Sequence, residues 1–199
     1  MKQFPSLPDN HQLDSVFRRF PHSAGPLLEY HDRVLRDPSP LTVGERELIA
    51  AYVSGLNACT YCHGSHVLAA SAFGIDETLF EGLMNDLQTS AVDEKLKPIL
   101  AYASKLTSSP SRMTVRDAQA VYDAGWDEQA LFDAVSVCAL FNLMNRIVEG
   151  TGTRIDPLDM PADDREARLT RLSGGVVPGD PYRGERSYSK LAKLWDIEG

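Results

Sequence analysis

The sequence predicts an all-α fold, a multi-helix bundle followed by an extended C-terminal tail. Apolar residues recur at helical spacing over most of residues 1–150, and no stretch with the two-residue period of a strand competes with them. Capping residues and glycines divide this region into helix-length pieces. From Thr151 onward, proline and glycine dominate, which ends the helical pattern.

Residues 1–40 are predicted to form an N-terminal helical extension. Prolines punctuate this stretch, so the helix we expect lies between Pro26 and Pro38. Leu28, Val34 and Leu35 recur there at helical spacing, which indicates a face that packs on the core. The histidines of this stretch have no partner motif, and we interpret them as surface or packing residues: His11, His22 and His31.

Residues 41–150 are predicted to form the helical core. Thr42 and Glu45 have the spacing of a capping box, which starts a helix that ends near Gly55. A second helix is expected over about residues 59–73, with Gly74 as the glycine that ends it.

Further helices are expected in the second half of this core, each started by a capping residue: Asp76, Asp93, Thr114 and Asp127. The last of them is a long apolar helix over residues 131–148. Cys138 lies in its middle, and we interpret it as a buried, structural cysteine because a free cysteine in an apolar helix behaves as a small hydrophobe.

Residues 151–199 are predicted to form a Pro/Gly-rich C-terminal tail with short helices. Only residues 162–172 and 189–195 have a helical pattern. Leu194 and Trp195 give the tail an apolar end, which can dock on the chain's own core or on a partner subunit.

Composition and charge limit the possible partners. The net charge of −8 argues against a nucleic-acid surface, because phosphate contacts need clustered lysine and arginine. The N-terminus has no signal-peptide pattern, and we expect no apolar stretch long enough to cross a bilayer. The sequence therefore predicts a cytoplasmic protein that binds neither nucleic acid nor membrane.

The residues best suited to redox and proton-transfer chemistry are Glu47, Cys59, Cys62 and His66. A turn of about 100° per residue puts the two thiols and the imidazole on one helix face. If Cys59 lies at the helix N-terminus, the two thiols can meet, and the partial positive charge there lowers a thiol pKa. Glu47 completes a relay if the two helices pack with these faces together. The pattern predicts a redox-active dithiol with a Glu/His proton relay.

Other interpretations of the same residues stay open. Cys59, Cys62, His66 and Glu47 are all suitable zinc ligands. Residues 59–63 also match the Cys-x-x-Cys-His pattern of covalent haem attachment, which normally takes place outside the cytoplasm. The two cysteines can also simply pack in a helix interface.

The spacing of Glu47, Cys59, Cys62 and His66 resembles the signature of the alkylhydroperoxidase D-like branch of the carboxymuconolactone decarboxylase-like family. Residues 141–147, Phe-Asn-Leu-Met-Asn-Arg-Ile, resemble the end of the core in its peroxidase-related subgroup. The resemblance covers roughly residues 40–150, so that residues 41–150 would be an AhpD-like helical core.

This resemblance implies an all-helical homo-oligomer, a trimer or hexamer, with no haem or other cofactor. It implies thiol-dependent reduction of a hydroperoxide, with Cys62 as the peroxidatic thiol and Cys59 as the resolving thiol. Glu47 and His66 would form the proton relay. A dithiol, in well-understood members a lipoyl-bearing partner, would reduce the oxidised pair.

One departure from the family pattern concerns the residue before Cys62. The prototype has a histidine there, whereas this chain has Tyr61 and a histidine one position after Cys62, at His63. On a helix His63 points away from Cys62, and the change leaves the reductant and substrate open. Two rival functions also stay open, a thiol redox sensor or oligomer switch without turnover, and a cysteine-independent lactone decarboxylase with Glu47 and His66 as acid and base.

Overall fold

The computed structural model describes residues 3–172 and 187–197, and every regular element in these ranges is helical. The prediction of an all-α fold is confirmed. The α-helices in chain order are α1 (Leu13–Arg19), α2 (Ala24–Arg36), α3 (Val43–Leu56), α4 (Thr60–Ala72), α5 (Leu79–Asn85), α6 (Lys97–Ser108), α7 (Val115–Asp123), α8 (Glu128–Thr151), α9 (Ala162–Leu172) and α10 (Ser187–Leu194). Residues 173–186 of the predicted tail lie outside the described residues.

Helices α3 and α4 form an antiparallel pair that positions the predicted site. The predicted capping box is present, with the Glu45 backbone N–H donating to the Thr42 hydroxyl and the Thr42 N–H donating to the Glu45 carboxylate. The helices approach closely at Gly44, where an added Cβ would lie only 2.9 Å from the carbonyl oxygen of Phe73. A larger residue at position 44 would therefore push the two helices apart.

Helix α8 contacts α3 and α6 along its buried face, and it also contacts α2 and α4. Its N-cap is Asp127, as predicted, because the carboxylate accepts from the Ala130 N–H at 2.8 Å. Cys138 is 1% exposed and lies 3.3 Å from the Thr107 hydroxyl, in agreement with a structural role.

The expectation that no apolar stretch is long enough to cross a bilayer is wrong for α8. By length and composition this helix could span a membrane. Half of its most apolar window is buried within the protein, and buried helices at the centre of a packed core share this length and composition.

Some predicted helix starts are displaced because an aspartate caps a turn before the helix. Asp76 accepts from the Thr78 N–H, so α5 has Thr78 as its N-cap. Asp93 likewise accepts from the Lys95 N–H, and α6 begins only at Lys97. Helix α1 was not predicted, since its seven residues lie among prolines and carry no capping signal.

The C-terminal helices dock on the chain's own core, where the sequence left a partner subunit equally open. Helix α9 packs on α4, and α10 packs on α2. Trp195 contacts Phe17 with ring centroids 6.3 Å apart. The larger of two apolar clusters runs from Leu7 to Ile197 and includes residues of all three predicted segments, so the boundaries at residues 40 and 150 stay a prediction.

Asp32 anchors α10 to α2. Its carboxylate is fully buried and accepts from the backbone N–H groups of Tyr188 at 3.0 Å and Ser189 at 2.8 Å. The Ser189 hydroxyl donates a third hydrogen bond at 2.5 Å. A residue of one helix thus caps the N-terminus of another, which satisfies N–H groups that have no partner within α10.

We expect Asp32→Ala to lower the free energy of unfolding by about 1–3 kcal/mol, because it removes the buried carboxylate that accepts from part-buried N–H groups of α10. Urea unfolding followed by tryptophan fluorescence measures this loss, and limited proteolysis should release the C-terminal segment faster. Glu29→Ala is the control, since Glu29 lies on the same helix and is 60% exposed. Equal stability of the two variants would show that Asp32 does not anchor α10.

Candidate active site

The two neighbouring cysteines lie at the start of α4, where a tight turn leads out of α3. Ala58 has a φ of 53°, in the left-handed region that residues other than glycine rarely adopt. This turn makes Cys59 the N-cap of α4 and places Cys62 in its first turn. Both thiols are free, and Cys59 is 0% and Cys62 4% exposed. The helix N-terminus therefore lies directly at the dithiol, and its partial positive charge favours a thiolate.

The side chains of Cys59 and Cys62 are hydrogen-bonded to each other, and this bond dominates their ionisation. It lowers the pKa of Cys59 and, together with burial, raises the pKa of Cys62. The pair thus releases its first proton readily and holds its second tightly, as expected of two groups that share one proton.

The predicted relay residues, Glu47 and His66, belong to a buried ion cluster. One Glu47 carboxylate oxygen is 2.5 Å from His66 Nδ1, and the other is 2.5 Å from an Arg36 guanidinium nitrogen. Burial alone would raise the pKa of Glu47, but the charges of Arg36 and His66 outweigh burial and hold this pKa at about 2. Glu47 is therefore an ionised, fully buried carboxylate that holds Nδ1 of His66. The ring nitrogen that Glu47 does not hold is Nε2.

Arg36 is a component of this site that the sequence did not reveal. It lies at the C-terminal end of α2, and its guanidinium stacks over Phe73 and Tyr188 at 5.0 and 5.5 Å from the ring centroids. The helical spacing in α2 indicates a buried face, but no pattern relates Arg36 to Glu47, which belongs to another helix.

A network of amides lies on the other side of the dithiol. Asn145 on α8 is 2% exposed, donates to the Ser54 hydroxyl at 3.0 Å and accepts from Asn57 at 2.9 Å. The Asn145 side chain also hydrogen-bonds Cys62, and this contact lowers the pKa of that thiol, although less than Cys59 and burial raise it. Asn57 follows α3 directly, so the network joins α8 to the turn that carries the cysteines.

A cavity of about 650 Å³ opens onto one thiol and onto the imidazole. Cys62 and His66 line it, whereas Cys59 and Glu47 do not. The core, the N-terminal segment and the two C-terminal helices all contribute to its wall. The residues that line it outside α4 and α8 include Asp9, Phe17, Leu28, His31, Arg168, Leu172, Tyr188, Leu191 and Trp195.

His31 also lines this cavity. Its ring contacts agree with its interpretation as a packing residue, and they place it next to the candidate site. It contacts the rings of Phe141 and Tyr188, with centroids 6.1 and 4.9 Å away. Burial lowers its pKa to about 4, although its hydrogen bond with the Leu27 carbonyl acts in the opposite direction. The imidazole is therefore neutral at pH 7.

Comparison with known proteins agrees with this geometry. Residues 21–103 match the family model of the carboxymuconolactone decarboxylase family. A peroxidase-related protein from Silicibacter sp. TM1040 is 22% identical, with a TM-score of 0.62 over 76% of this chain and 87% of that chain. An alkylhydroperoxidase AhpD core protein, also peroxidase-related, from Ralstonia eutropha JMP134 is 20% identical, with a TM-score of 0.68 over 81% and 80% of the two chains.

Residues 21–103 thus match the carboxymuconolactone decarboxylase family, and the chain has an AhpD-like fold. The two structures support the AhpD-like fold, and at this level of identity they support the fold alone. No curated protein matches the sequence.

In this AhpD-like chain the predicted site residues form two contacting pairs. Cys59 meets Cys62, and Glu47 meets His66, on the facing helices α3 and α4. His63 points elsewhere, as helical geometry predicts, with Nδ1 2.9 Å from the Ala51 carbonyl oxygen. The roles of these residues in a reaction stay a prediction.

The structure also bears on the alternative interpretations of the cysteine motif. Both Glu47 oxygens are engaged by Arg36 and His66, so this carboxylate is not available as a fourth zinc ligand. Within residues 3–172 and 187–197, no group of three or more histidine, cysteine, aspartate or glutamate side chains is arranged to hold a metal ion.

Proposed function

We propose that this protein is a thiol-dependent peroxidase, which reduces an organic hydroperoxide with the dithiol of Cys62 and Cys59. One observation carries the proposal. Two hydrogen-bonded thiols lie at a helix N-terminus, and Cys62 shares a cavity of about 650 Å³ with His66. The sulfur that reacts must reach its substrate, and only Cys62 of the pair lines the cavity.

The first step forms a bond between the Cys62 sulfur and the terminal oxygen of the hydroperoxide. The O–O bond breaks, and its electrons leave with the alkoxide, which takes one proton and becomes the alcohol. His66 is the group that would supply this proton from the cavity wall. Cys62 is left as a sulfenic acid, oxidised by two electrons.

The second step forms the disulfide. The Cys59 thiolate attacks the Cys62 sulfur, the S–O bond breaks, and hydroxide leaves with the proton that Cys59 gave up, as water. The sum is one hydroperoxide and two thiols converted to one alcohol, one water and one disulfide. The contact between the two thiols makes this step intramolecular, which limits over-oxidation of Cys62.

The pKa shifts favour ionisation of one thiol, whereas access to the cavity favours reaction at the other. The hydrogen bond favours the first thiolate at Cys59, whereas the cavity reaches Cys62. Because the two sulfurs share one proton, its transfer from Cys62 to Cys59 places the thiolate on the sulfur that faces the substrate. Cys62 is then the peroxidatic thiol and Cys59 the resolving thiol.

A small dithiol, of the lipoyl type, is the reductant that we propose for the oxidised pair. It would attack one sulfur of the disulfide and close its own ring as the second sulfur leaves. We also propose a cytoplasmic homo-oligomer, a trimer or hexamer, without nucleic-acid or membrane partners.

Steady-state turnover tests this function against its two rivals. Purified protein is mixed with cumene hydroperoxide and dihydrolipoamide, and the loss of both is followed. We expect many turnovers per subunit with equal loss of hydroperoxide and dithiol. Oxidation that stops after one equivalent would instead identify a redox switch. Lactone decarboxylation that persists after both cysteines are replaced by serine would identify an acid–base enzyme based on Glu47 and His66.

A further inference from the structure

The cavity above Cys62 combines an apolar wall with a polar side that includes residues 9–12 of the N-terminal segment. Most of its wall is apolar, built from Phe17, Leu28, Phe141, Met144, Leu191 and Trp195. Its volume of about 650 Å³ is far larger than hydrogen peroxide needs and lies within the range of about 300–1,000 Å³ typical of small-molecule sites. An apolar wall of this size favours a substrate with a large apolar body.

The second feature is a guanidinium on the cavity wall. Arg168 on α9 lines the cavity and makes no hydrogen bond or ion pair within the described parts of the chain. Its charge acts on the phenol of Tyr61, which also lines the cavity and directly precedes Cys62 in sequence. The guanidinium and the reactive thiol thus belong to one cavity.

Other charged or titratable groups also line this cavity, namely Asp9, Asp14, His11, His31 and His66. Asp14 forms an ion pair with Arg18 at 3.7 Å, and Asp9 is exposed to solvent. His31 is neutral at pH 7, since burial lowers its pKa to about 4. A guanidinium with an unused fork of donors next to an apolar wall is a fitting partner for a carboxylate.

We propose that the cavity selects a hydroperoxide with an apolar body and one carboxylate, and that Arg168 binds this carboxylate while the peroxide group reaches Cys62. This proposal rests on the proposed peroxidase function for the reaction itself, although not for the binding of the acid. A fatty-acid hydroperoxide has this chemistry. Arg168 is a specificity-determining residue here, and it takes no part in bond making.

A binding measurement tests the site without any turnover. Trp195 lines the cavity, and a Trp126→Phe background makes it the sole tryptophan of the chain. Quenching of its fluorescence is titrated with decanoate and with 1-decanol, which share one apolar body. We expect decanoate to bind about tenfold more tightly, as a charge-assisted pair of this kind predicts.

Two variants on the same helix separate a specific contact from a change in net charge. Arg168→Gln should bring the dissociation constants of decanoate and decanol to within about twofold of each other. Arg165→Gln is the matched control, because Arg165 pairs with Glu77 at 2.9 Å and does not line the cavity, and it should keep the tenfold preference. Equal binding of the two ligands by the native cavity, or an equal loss in both variants, would overturn the proposal.

Turnover then distinguishes failure of this inference from failure of the proposed function. With linoleic acid hydroperoxide and its methyl ester, we expect kcat/KM to favour the acid by about tenfold. Equal kcat/KM for acid and ester would overturn the selection of carboxylates and leave the peroxidase intact. No turnover of either, with decanoate still preferred in the binding measurement, would overturn the peroxidase and support the carboxylate site.

Discussion

Cys62→Ser is expected to lower kcat/KM for cumene hydroperoxide by about a thousandfold or more. A serine hydroxyl is not ionised near neutral pH, so the cavity loses its nucleophile while its shape stays nearly the same. The measurement is steady-state turnover with dihydrolipoamide in excess. Cys138→Ser is the control, because Cys138 is buried in α8 and does not line the cavity, and it should keep nearly full activity.

Cys59→Ser should behave differently from Cys62→Ser. The peroxidatic sulfur remains, so we expect one rapid equivalent of hydroperoxide to be consumed and Cys62 to stay as a sulfenic acid. Sustained turnover should be lost because no neighbouring thiol forms the disulfide. Full turnover by either variant would contradict the assignment, and a burst by Cys62→Ser alone would exchange the two roles.

Glu47→Gln is expected to lower the free energy of unfolding by about 3–5 kcal/mol, because it removes the buried carboxylate charge that pairs with Arg36 and His66. It should also reduce turnover strongly, since the contact of the Glu47 carboxylate with His66 Nδ1 holds the imidazole in place. Chemical unfolding and steady-state kinetics measure the two effects. Glu77→Gln, which breaks a half-exposed pair with Arg165, should cost at most about 1 kcal/mol. Equal costs for the two variants would contradict the importance of the buried cluster.

Stability should also depend on pH through Glu47. Its pKa is about 2 in the folded protein, below the ordinary value of 4.5, so the folded state binds fewer protons than the unfolded state between these values. Its contribution, on the order of 3 kcal/mol, is complete above about pH 4.5 and is lost as the pH falls toward 2. Unfolding of native protein and Glu47→Gln across this range measures the difference, which should shrink on acidification.

The fold was largely accessible from the sequence because local signals specify most of the helices. The Thr42 capping box, the Asp127 cap and the C-terminal glycine at Gly74 all act where they were expected. The predicted helix starts at Asp76 and Asp93 were wrong, because each of these aspartates caps a turn and not a helix. Helix α8 is longer than the predicted 131–148 because the mostly polar residues 128–130 and 149–151 at its ends are helical too.

The contacts of the site were accessible only in part. Helical periodicity placed Cys59, Cys62 and His66 on one face, and it left the contact with Glu47 conditional on how two helices pack. Arg36 reaches Glu47 from a third helix, and Arg168 reaches the cavity from α9. Contacts of this kind depend on tertiary packing, for which a single sequence has no periodic signal.

The state of the two thiols after a single exposure to hydroperoxide decides whether Cys59 and Cys62 form a peroxide-reducing dithiol. Native protein is treated with one equivalent of cumene hydroperoxide, alkylated under denaturing conditions and weighed intact. We predict that two of its three thiols become unreactive, that a dithiol restores them, and that Cys62→Ser forms no disulfide under the same treatment. Three alkylatable thiols in the treated native protein would contradict a peroxide-reducing dithiol at the start of α4.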